Sequence, residues 1–434
     1  MNKRAVILLG AGATLGWNGR TTKQITQSLI EDKKFLTKNG ESLASFIQRK
    51  LAEYHGLQNL TEINNDINFE YLINTLESLS EYVYQVAQGG GPPQFVGSKP
   101  AWFILREFFD EIRFYTCQGK DGQQGWSNYR NGTDSYETSY EQIHSENCDL
   151  HHLLEATKHY MYIIRMHVAR YDATYGEERF KQMNDSFCDF YSHLKEKGYV
   201  VRFYTTNYDD IVPKIIGRFQ EPAPFTGFDP PVSDLQRELL PNVKKVLTDC
   251  SSDVYYNLHG NIYWDFANHE ERAEMTYVFK MGMPQIRNFY THQEYTNPTE
   301  STNVYNIVTG FNKLQKTTME PLRSFSNAFS IDCINANLLI TIGYSYSDPH
   351  INKSMKNAVD ENNAKFAHVG YSPDGFFGGQ PYFNMQRMVL TKKPAHSFLS
   401  EGEMWHFYHD ESACIYRLGF EEFLKTKSWI RLNV

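Results

Sequence analysis

Ala5-Val6-Ile7-Leu8-Leu9 runs directly into Gly10-Ala11-Gly12-Ala13-Thr14 near the start of the chain, and this stretch indicates the fold. An uninterrupted apolar run that ends in glycine is typical of a buried strand at the centre of a parallel sheet. Glycines at the end of such a strand allow a tight turn and a close approach of the backbone to a phosphate group. The stretch therefore predicts the first strand of an α/β sheet, followed either by a phosphate-binding turn or by a turn that binds no ligand.

Polar clusters also follow three later runs that have the apolar character of strands. In an open α/β sheet, ligands bind at the carboxyl ends of the strands, so these clusters and the glycine turn predict one shared pocket. Further strands are predicted at Phe366–Val369 and Met388–Leu390. The three runs and their clusters are Tyr199–Tyr204 with Thr205-Thr206-Asn207-Tyr208-Asp209, Val254–Leu258 with His259-Gly260, and Asn337–Ile342 with Gly343-Tyr344-Ser345-Tyr346-Ser347-Asp348.

Residues 21–198 have a different pattern, because apolar side chains recur there at three-and-four spacing, as on one face of a helix. Strands that alternate with helices imply a mostly parallel, doubly wound sheet. We therefore predict an α/β fold, with a Rossmann-like, mostly parallel sheet and a large helical insertion after the first strand. The helices predicted within the insertion are Leu43–Tyr54, Phe69–Val86, Trp102–Tyr115, Leu150–Tyr171 and Phe180–Leu194.

These patterns also predict the domain organisation. Residues 1–396 are expected to form one domain, whose core comprises residues 1–20 and 199–396 and whose helical insertion comprises residues 21–198. Residues 397–434 are expected to be a C-terminal extension that packs on the core and ends in a helix at Phe420–Lys425.

The composition of the 434-residue chain disfavours several classes of protein. Its 41% hydrophobic content supports a full core, and its net charge of -8 argues against direct binding to nucleic acid. The six cysteines include no CxxC pair, which disfavours a zinc ribbon and a disulfide framework and favours free thiols. The apolar run Ala5–Leu9 is too short for a signal peptide, and no run is long enough for a transmembrane helix. We therefore expect a cytoplasmic protein without a bound metal.

Residues at the strand ends have side chains suited to catalysis or binding, and each has a structural alternative. The Asn207 amide both donates and accepts hydrogen bonds, so it suits a water and a ribose hydroxyl, but Asn also stabilises turns. Neutral His259 suits a general base near pH 7, or it is a structural residue next to a strand. Asp348 suits ligand contact or the N-cap of a helix that begins at Pro349.

Together and in this order, the four clusters resemble those of the sirtuin superfamily. The family's phosphate loop GAG-x-S, its TQNID segment, its catalytic His-Gly and its ribose-binding Gly-x-Ser all have similar counterparts here. These counterparts are, in the same order, Gly10-Ala11-Gly12-Ala13-Thr14, Thr205-Thr206-Asn207-Tyr208-Asp209, Leu258-His259-Gly260 and Gly343-Tyr344-Ser345.

The chain departs from the deacylase branch of that superfamily. It lacks the four-cysteine spacing of the branch's zinc module, and Gly16-Trp17-Asn18-Gly19 stands where a GIPDFR-type loop follows the phosphate turn. Leu15 also occupies the place of the third glycine in a dinucleotide-binding fingerprint. The TTNYD and GYSxxD segments and the large insertion instead resemble the sirtuin-like NADases of bacterial anti-phage defence, which hydrolyse NAD+ to nicotinamide and ADP-ribose.

This resemblance implies that NAD+ is the substrate and gives the site residues their roles. Asn207 orients the nicotinamide ribose and the attacking water, and His259 is the general base. Asp209 contacts the carboxamide of nicotinamide, and Ser345 contacts the adenosine side. Gly10, Gly12 and Thr14 hold the pyrophosphate. The remaining residues expected to bind NAD+ are Ala11, Ala13, Thr205, Gly343 and Asp348.

The resemblance also implies control of the activity, because an unrestrained NADase would deplete the NAD+ of its own cell. A homo-oligomer and a HerA-type ATPase partner are the expected means of control. Two other functions stay open at this point: an NAD-dependent protein deacylase and a non-catalytic sensor of NAD+ or ADP-ribose. The joint presence of Asn207 and His259 favours the enzyme, because a sensor needs no general base.

Overall fold

The structure is a computed structural model that describes residues 3–37, 39–59, 63, 67–87, 146–233, 236, 238–266, 275–278, 287–290, 301–304, 306–309, 316–372, 380–393, 397–402 and 404–432. The predicted helix Trp102–Tyr115 lies outside these described residues. The other four helices predicted for the insertion are present, with ends that differ by a few residues from the prediction.

An 8-stranded sheet forms the centre of the described part of the fold, with smaller sheets of three and two strands beside it. The strands are β1 (Lys3–Leu9), β2 (Tyr199–Thr205), β3 (Glu238–Leu239), β4 (Val254–Asn257), β5 (Trp264–Phe266), β6 (Met275–Val278), β7 (Arg287–Tyr290), β8 (Ser301–Val304), β9 (Leu338–Ile342), β10 (Lys365–Val369), β11 (Phe398–Glu401), β12 (Trp405–Tyr408) and β13 (Ala413–Tyr416).

Helices pack on both faces of the large sheet. A short 3₁₀ helix, Ala11–Trp17, follows β1 directly. The α-helices of the described residues are α1 (Thr22–Ile30), α2 (Leu43–His55), α3 (Phe69–Ala87), α4 (Glu146–Thr174), α5 (Lys181–Glu196), α6 (Ile211–Phe219), α7 (Val243–Thr248), α8 (Leu322–Ile334), α9 (Pro349–Lys356), α10 (Gln380–Met388) and α11 (Phe420–Lys425).

The large sheet has the strand order β11-β12-β13-β10-β9-β1-β2-β4. All neighbours from β13 to β4 are parallel, and only β11 and β12 run antiparallel to their neighbours. Helices α1 to α5 lie between β1 and β2 in the chain. The prediction of a mostly parallel α/β sheet with a helical insertion after the first strand is therefore confirmed.

Strand β1 joins the two halves of the core because alternate side chains of a strand point to opposite faces. Ala5, Ile7 and Leu9 are buried in the cluster that contains the helices of the insertion. Val6 and Leu8 are buried in the cluster on the other face, which contains α8 and α9. A strand buried on both faces reads as a continuous apolar run, which is the pattern that opened the chain.

The C-terminal residues add strands β11, β12 and β13 to the large sheet, with β13 parallel to β10. Helix α11 has the predicted bounds. The strand predicted at Met388–Leu390 is wrong, because Met388 ends α10 and the amides of Val389 and Leu390 both donate to the carbonyl of Met385. A short apolar run in a sequence does not distinguish a strand from the buried end of a helix. The boundary at residue 396 stays a prediction.

In the part of the chain that the structure describes, every helix is too short or too polar to cross a lipid bilayer.

Candidate functional site

The carboxyl ends of β9, β1, β2 and β4 lie side by side in the sheet, so the polar clusters that follow them meet at one edge. Backbone hydrogen bonds connect neighbouring ends directly. The amide of Gly10 donates to Ile342 (2.8 Å), that of Thr206 to Leu9 (2.9 Å) and that of Leu258 to Thr205 (2.8 Å). The clusters named from the sequence are thus held on one continuous backbone scaffold.

The glycines after β1 and β9 pack directly against each other. A Cβ on Gly12 would lie 2.8 Å from the Cα of Gly343, and a Cβ on Gly343 would lie 2.4 Å from the amide nitrogen of Ala13. Gly343 also has a φ of +59°, in the left-handed region that favours glycine. The glycines are therefore explained by the close approach of two strand ends, whether or not a phosphate binds there.

Three amides of this loop are engaged within the protein. Gly10 donates to Ile342, Gly12 donates to Gly343 (3.0 Å), and Ala13 donates to Gly10 (2.9 Å). Ala11 is exposed, whereas Thr14 is buried with its hydroxyl 3.4 Å from the carbonyl oxygen of Ala11. Binding of a pyrophosphate by this loop stays a prediction, and in this conformation it would use the exposed surface around Ala11.

Asn207 is buried between the ends of β1, β2 and β4, with 8% of the residue exposed. Its Nδ2 donates to the carbonyl of Gly10 (3.0 Å), and its backbone amide donates to the hydroxyl of Thr205 (2.9 Å). The Thr205 hydroxyl itself lies 3.2 Å from the carbonyl of Leu9. The sequence placed Asn207 and the glycine loop in one pocket, and the structure joins them by a hydrogen bond.

His259 lies two residues after the end of β4 and is 2% exposed. The carbonyl of His259 accepts from the amide of Val308 (2.7 Å), so residues 306–308 fix this turn. Gly260 has a φ of +84°, and a Cβ there would lie 2.2 Å from the carbonyl oxygen of Asn306. Gly260 is therefore required by the turn and by the approach of the protein's own backbone.

Asp348 precedes α9 and faces His259. It occupies the N-cap position with Pro349 after it, but its side chain makes no capping hydrogen bond. Its Oδ2 lies instead 3.9 Å from Nε2 of His259, with both side chains buried. This distance is too long for a direct hydrogen bond but suits an ionic contact when the imidazole is protonated. The ring of His350 also lies near, 6.3 Å from that of His259 between centroids.

The loop after β9 alternates between buried and exposed residues. Tyr344 and Tyr346 are buried, while Ser345 and Ser347 are exposed and their hydroxyls are 3.0 Å apart. Tyr346 has a positive φ of 58°, uncommon for a bulky residue, and its hydroxyl is hydrogen-bonded to His368 (2.9 Å) and to the Thr341 hydroxyl. Buried tyrosines thus hold the Ser345 hydroxyl at the open edge of the strand ends.

Asp209 is buried on the side of the loop that faces α4. Its Oδ2 accepts from the hydroxyl of Tyr171 (3.0 Å), and its Oδ1 accepts from the amide of Ile211 (3.2 Å). Burial raises the pKa of Asp209 to about 7, and the nearby charge of Asp172 contributes to the increase. In this arrangement both carboxylate oxygens have protein partners, and contact with a nicotinamide carboxamide stays a prediction.

The helical insertion contributes charge to the same strand ends. Burial raises the pKa of Tyr208 well above its usual range, and the carboxylates of Glu70, on α3, and Asp348 raise it further. Burial and the same two carboxylates act in the same direction on the pKa of Tyr344. Glu70 had no signal in the sequence, because it lies on an amphipathic helix far along the chain from the other site residues.

No cluster of three or more His, Cys, Asp or Glu side chains suited to a metal ion occurs among the residues that the structure describes. Four cysteines within the same part of the chain are free thiols, namely Cys188, Cys250, Cys333 and Cys414. A site that works without metal stays a prediction.

This geometry is accompanied by a similarity to one known protein family. Residues 201–377 match the SIR2-like domain family. The SIR2-like segment extends from β2 to beyond β10 and includes Asn207, His259, Ser345 and Asp348. The match begins after the glycine loop and the insertion. None of the curated proteins matches the chain. A SIR2-like domain indicates NAD-related activity, so the sirtuin resemblance inferred from the motifs is confirmed at this level.

Proposed function

We propose that the chain is an NAD+ glycohydrolase, which cleaves NAD+ to nicotinamide and ADP-ribose. The observation that carries this proposal is the position of Asn207 and His259. Both side chains are buried, they follow the neighbouring parallel strands β2 and β4, and Asn207 is hydrogen-bonded to the glycine loop after β1. An amide and an imidazole at adjacent strand ends are the groups needed to orient water and accept its proton.

The reaction requires little covalent chemistry from the protein. The bond from C1′ of the nicotinamide ribose to nitrogen breaks, and its electron pair leaves with nicotinamide. Water forms the new bond to C1′ and gives its proton to His259, directly or through a ribose hydroxyl. Asn207 orients the ribose and the water, which lowers the entropic part of the barrier.

Negative charge at the strand ends suits this reaction. The ribose becomes positively charged as nicotinamide departs, and preoriented carboxylates stabilise such charge. Asp348 lies 3.9 Å from His259, and its charge also stabilises the imidazolium that forms when His259 takes the proton. Glu70 adds a second carboxylate, contributed by the insertion.

The proposed binding mode extends along the edge of the sheet. The loop of Gly10, Ala11, Gly12, Ala13 and Thr14 binds the pyrophosphate, helped by Thr205 and Gly343. Ser345, which is exposed at the adjacent strand end, contacts the adenosine side. Asp209 contacts the carboxamide and keeps its present hydrogen bonds, because each carboxylate oxygen can accept a second one.

We further propose that the enzyme is a gated effector of anti-phage defence, in which depletion of NAD+ halts the infected cell. Such an activity has to be silent in a healthy cell. Homo-oligomerisation or a HerA-type ATPase partner supplies the gate in this proposal, which is supported by the resemblance of the motifs to defence NADases.

The test is incubation of the purified chain with NAD+, alone and with extract from infected bacteria, and detection of nicotinamide and ADP-ribose by chromatography. His259→Ala should lower product formation about 10²- to 10⁴-fold or more, and Asn207→Ala should abolish it. Matched controls are His409→Ala and Asn335→Ala, which alter exposed residues away from these strand ends.

Other outcomes identify the alternatives. Formation of O-acyl-ADP-ribose only when an acylated peptide is added would replace the proposal with a deacylase. Binding of NAD+ without any product under either condition would replace it with a sensor. Full activity in His259→Ala or Asn207→Ala would remove these residues from the mechanism.

A further inference from the structure

Two consecutive residues of the insertion contact the loop that carries Asn207. On α4, the hydroxyl of Tyr171 donates to Oδ2 of Asp209 (3.0 Å). The next residue, Asp172, accepts the backbone amide of Asp210 at its Oδ1 (3.0 Å). Helix α4 therefore binds both a side chain and the backbone just after Asn207.

Asp172 also links α4 to the rest of the fold. Its side chain is fully buried, and its Oδ2 accepts hydrogen bonds from Nζ of Lys214, on α6, and from the hydroxyl of Tyr263. Asp172 thus connects the insertion, the loop after β2 and the helix that follows this loop. A carboxylate with this many partners is fixed in position, because each partner restricts it in a different direction.

Strand β4 holds the same loop from the opposite side. The carbonyl oxygen of Asp209 accepts from the hydroxyl of Tyr255 (3.0 Å) and from Nδ2 of Asn257 (3.1 Å). The same Nδ2 lies 3.3 Å from the carbonyl oxygen of Asn207. The loop is therefore clamped between β4 and α4, and Asn207 lies at its start.

We propose that Tyr171 and Asp172 are positioning residues for Asn207, so that the helical insertion is an integral part of the active site. This inference rests on the proposed NAD+ hydrolysis. Neither residue touches the reacting atoms; they act by holding residues 207–210 in the conformation in which the Asn207 amide faces its water. Displacement of an orienting group by about 1 Å lowers a rate about a hundredfold, so a loosened clamp reduces turnover more than binding.

The two residues affect the pKa of Asp209 in opposite directions. The pKa of Asp209 is about 7 as the net result of opposing effects. Burial and then the charges of Asp172 and Asp210 raise it, whereas the hydrogen bonds from the Ile211 amide and the Tyr171 hydroxyl lower it. The other groups facing this cluster are Tyr255 on β4, Tyr263 before β5 and Lys214 on α6. The ionised Asp209 is the better acceptor for the Tyr171 hydroxyl. The hydrogen bond between them is therefore stronger above the pKa of Asp209 and weaker below it.

The experiment compares Tyr171→Phe and Asp172→Asn with the controls Tyr162→Phe, on the same helix, and Asp185→Asn, an exposed residue of α5. Turnover of NAD+ is measured from pH 5 to 9, with ADP-ribose affinity measured by calorimetry. We expect kcat to fall about tenfold or more in both clamp variants, with ADP-ribose affinity within about threefold of the parent. Tyr171→Phe loses a hydrogen bond that lowers the pKa of Asp209, so the acid limb of the kcat profile should move to higher pH. Asp172→Asn loses a negative charge that raises the same pKa, so its acid limb should move to lower pH.

Hydrogen exchange of residues 205–212, followed by mass spectrometry, gives a reading that needs no turnover. Exchange should be faster in the clamp variants only in this segment. The inference would be overturned if kcat is unchanged in the clamp variants, or if ADP-ribose affinity falls as much as turnover. It would also be overturned if the acid limbs of the two variants move in the same direction, or if hydrogen exchange of residues 205–212 is unchanged. If the parent protein does not hydrolyse NAD+, the proposed function fails, and exchange alone then decides whether α4 holds the loop.

Discussion

Nε2 of His259 lies 3.9 Å from Oδ2 of Asp348, and the two buried side chains come from the ends of different strands. The position of Asp348 before Pro349 suggests a helix cap, yet its carboxylate faces the imidazole and makes no capping hydrogen bond. A buried carboxylate this close stabilises the positive charge that the imidazole gains when it accepts a proton as a general base.

The first prediction is that Asp348→Asn lowers kcat for NAD+ hydrolysis by about tenfold or more, because the imidazolium formed during turnover no longer faces a negative charge. Steady-state kinetics and ADP-ribose binding measure the effect. If Asp348 acts through His259, the double variant His259→Ala/Asp348→Asn should be no slower than His259→Ala alone. Additive losses would instead indicate a separate contact with NAD+. Asp189→Asn, an exposed residue of α5, is the control.

A second prediction concerns the turn after His259. Gly260→Ala should lower the free energy of unfolding by about 3 kcal/mol or more, because the new Cβ meets the carbonyl of Asn306 in a backbone conformation that strains an L-residue. Gly56→Ala is the matched control, since Gly56 also has a positive φ but open space around it. Backbone strain alone predicts that Gly56→Ala lowers the free energy of unfolding by about 1–2 kcal/mol. Urea unfolding measures both variants. If Gly260→Ala and Gly56→Ala lose the same free energy of unfolding, the contact of the new Cβ with Asn306 does not destabilise the protein.

The strand ends could be predicted from the sequence, because fully buried parallel strands leave uninterrupted apolar runs. The clusters after β1, β2, β4 and β9 meet for the same reason: parallel neighbours place their carboxyl ends at one edge. Asn207 and His259 are thus candidate site residues on the sequence pattern alone. Their contact with the NAD+ substrate stays a prediction.

The partners of these residues could not be predicted, because each comes from a distant part of the chain. Tyr171 and Glu70 lie on amphipathic helices, where an aromatic or acidic residue looks like ordinary core or surface. The packing of Gly260 against the backbone of Asn306 could not be predicted either, because the two residues are far apart in the chain. Strand β12, which lies next to the edge strand β11, is too short and irregular in its pattern to predict.

A third prediction concerns the link between the insertion and the segment next to His259. Nζ of Lys316 is hydrogen-bonded to both carboxylate oxygens of Glu77, on α3, at 2.6 and 2.7 Å, and to the carbonyl of Thr309 at 2.8 Å. Lys316→Met should destabilise the protein by about 3 kcal/mol, because the carboxylate of Glu77, whose side chain is only 13% exposed, loses its cation.

Replacing both partners tests this explanation. Lys316→Met/Glu77→Met should recover most of the loss, since no buried charge remains. The control Lys392→Met removes an exposed pair with Glu361 and should cost less than about 1 kcal/mol. Urea unfolding measures all three variants. A double variant as unstable as Lys316→Met would show that packing around Lys316, and not the charge of Glu77, causes the loss.

The last prediction concerns pH. Burial, followed by the charge of Asp172, raises the pKa of Asp209 from 3.8 to about 7, so the folded protein retains a proton that the unfolded chain has already released. Stability from this group is complete below the unfolded pKa and is lost as the pH rises towards about 7. Burial likewise raises the pKa of Asp210, to about 6, with the same sign. Asp209→Asn cannot ionise, so its stability relative to the parent should improve between pH 5 and pH 8. Urea unfolding at these two pH values measures the difference, and a relative stability that stays constant or declines would mean that Asp209 is already ionised at pH 5 in the folded protein.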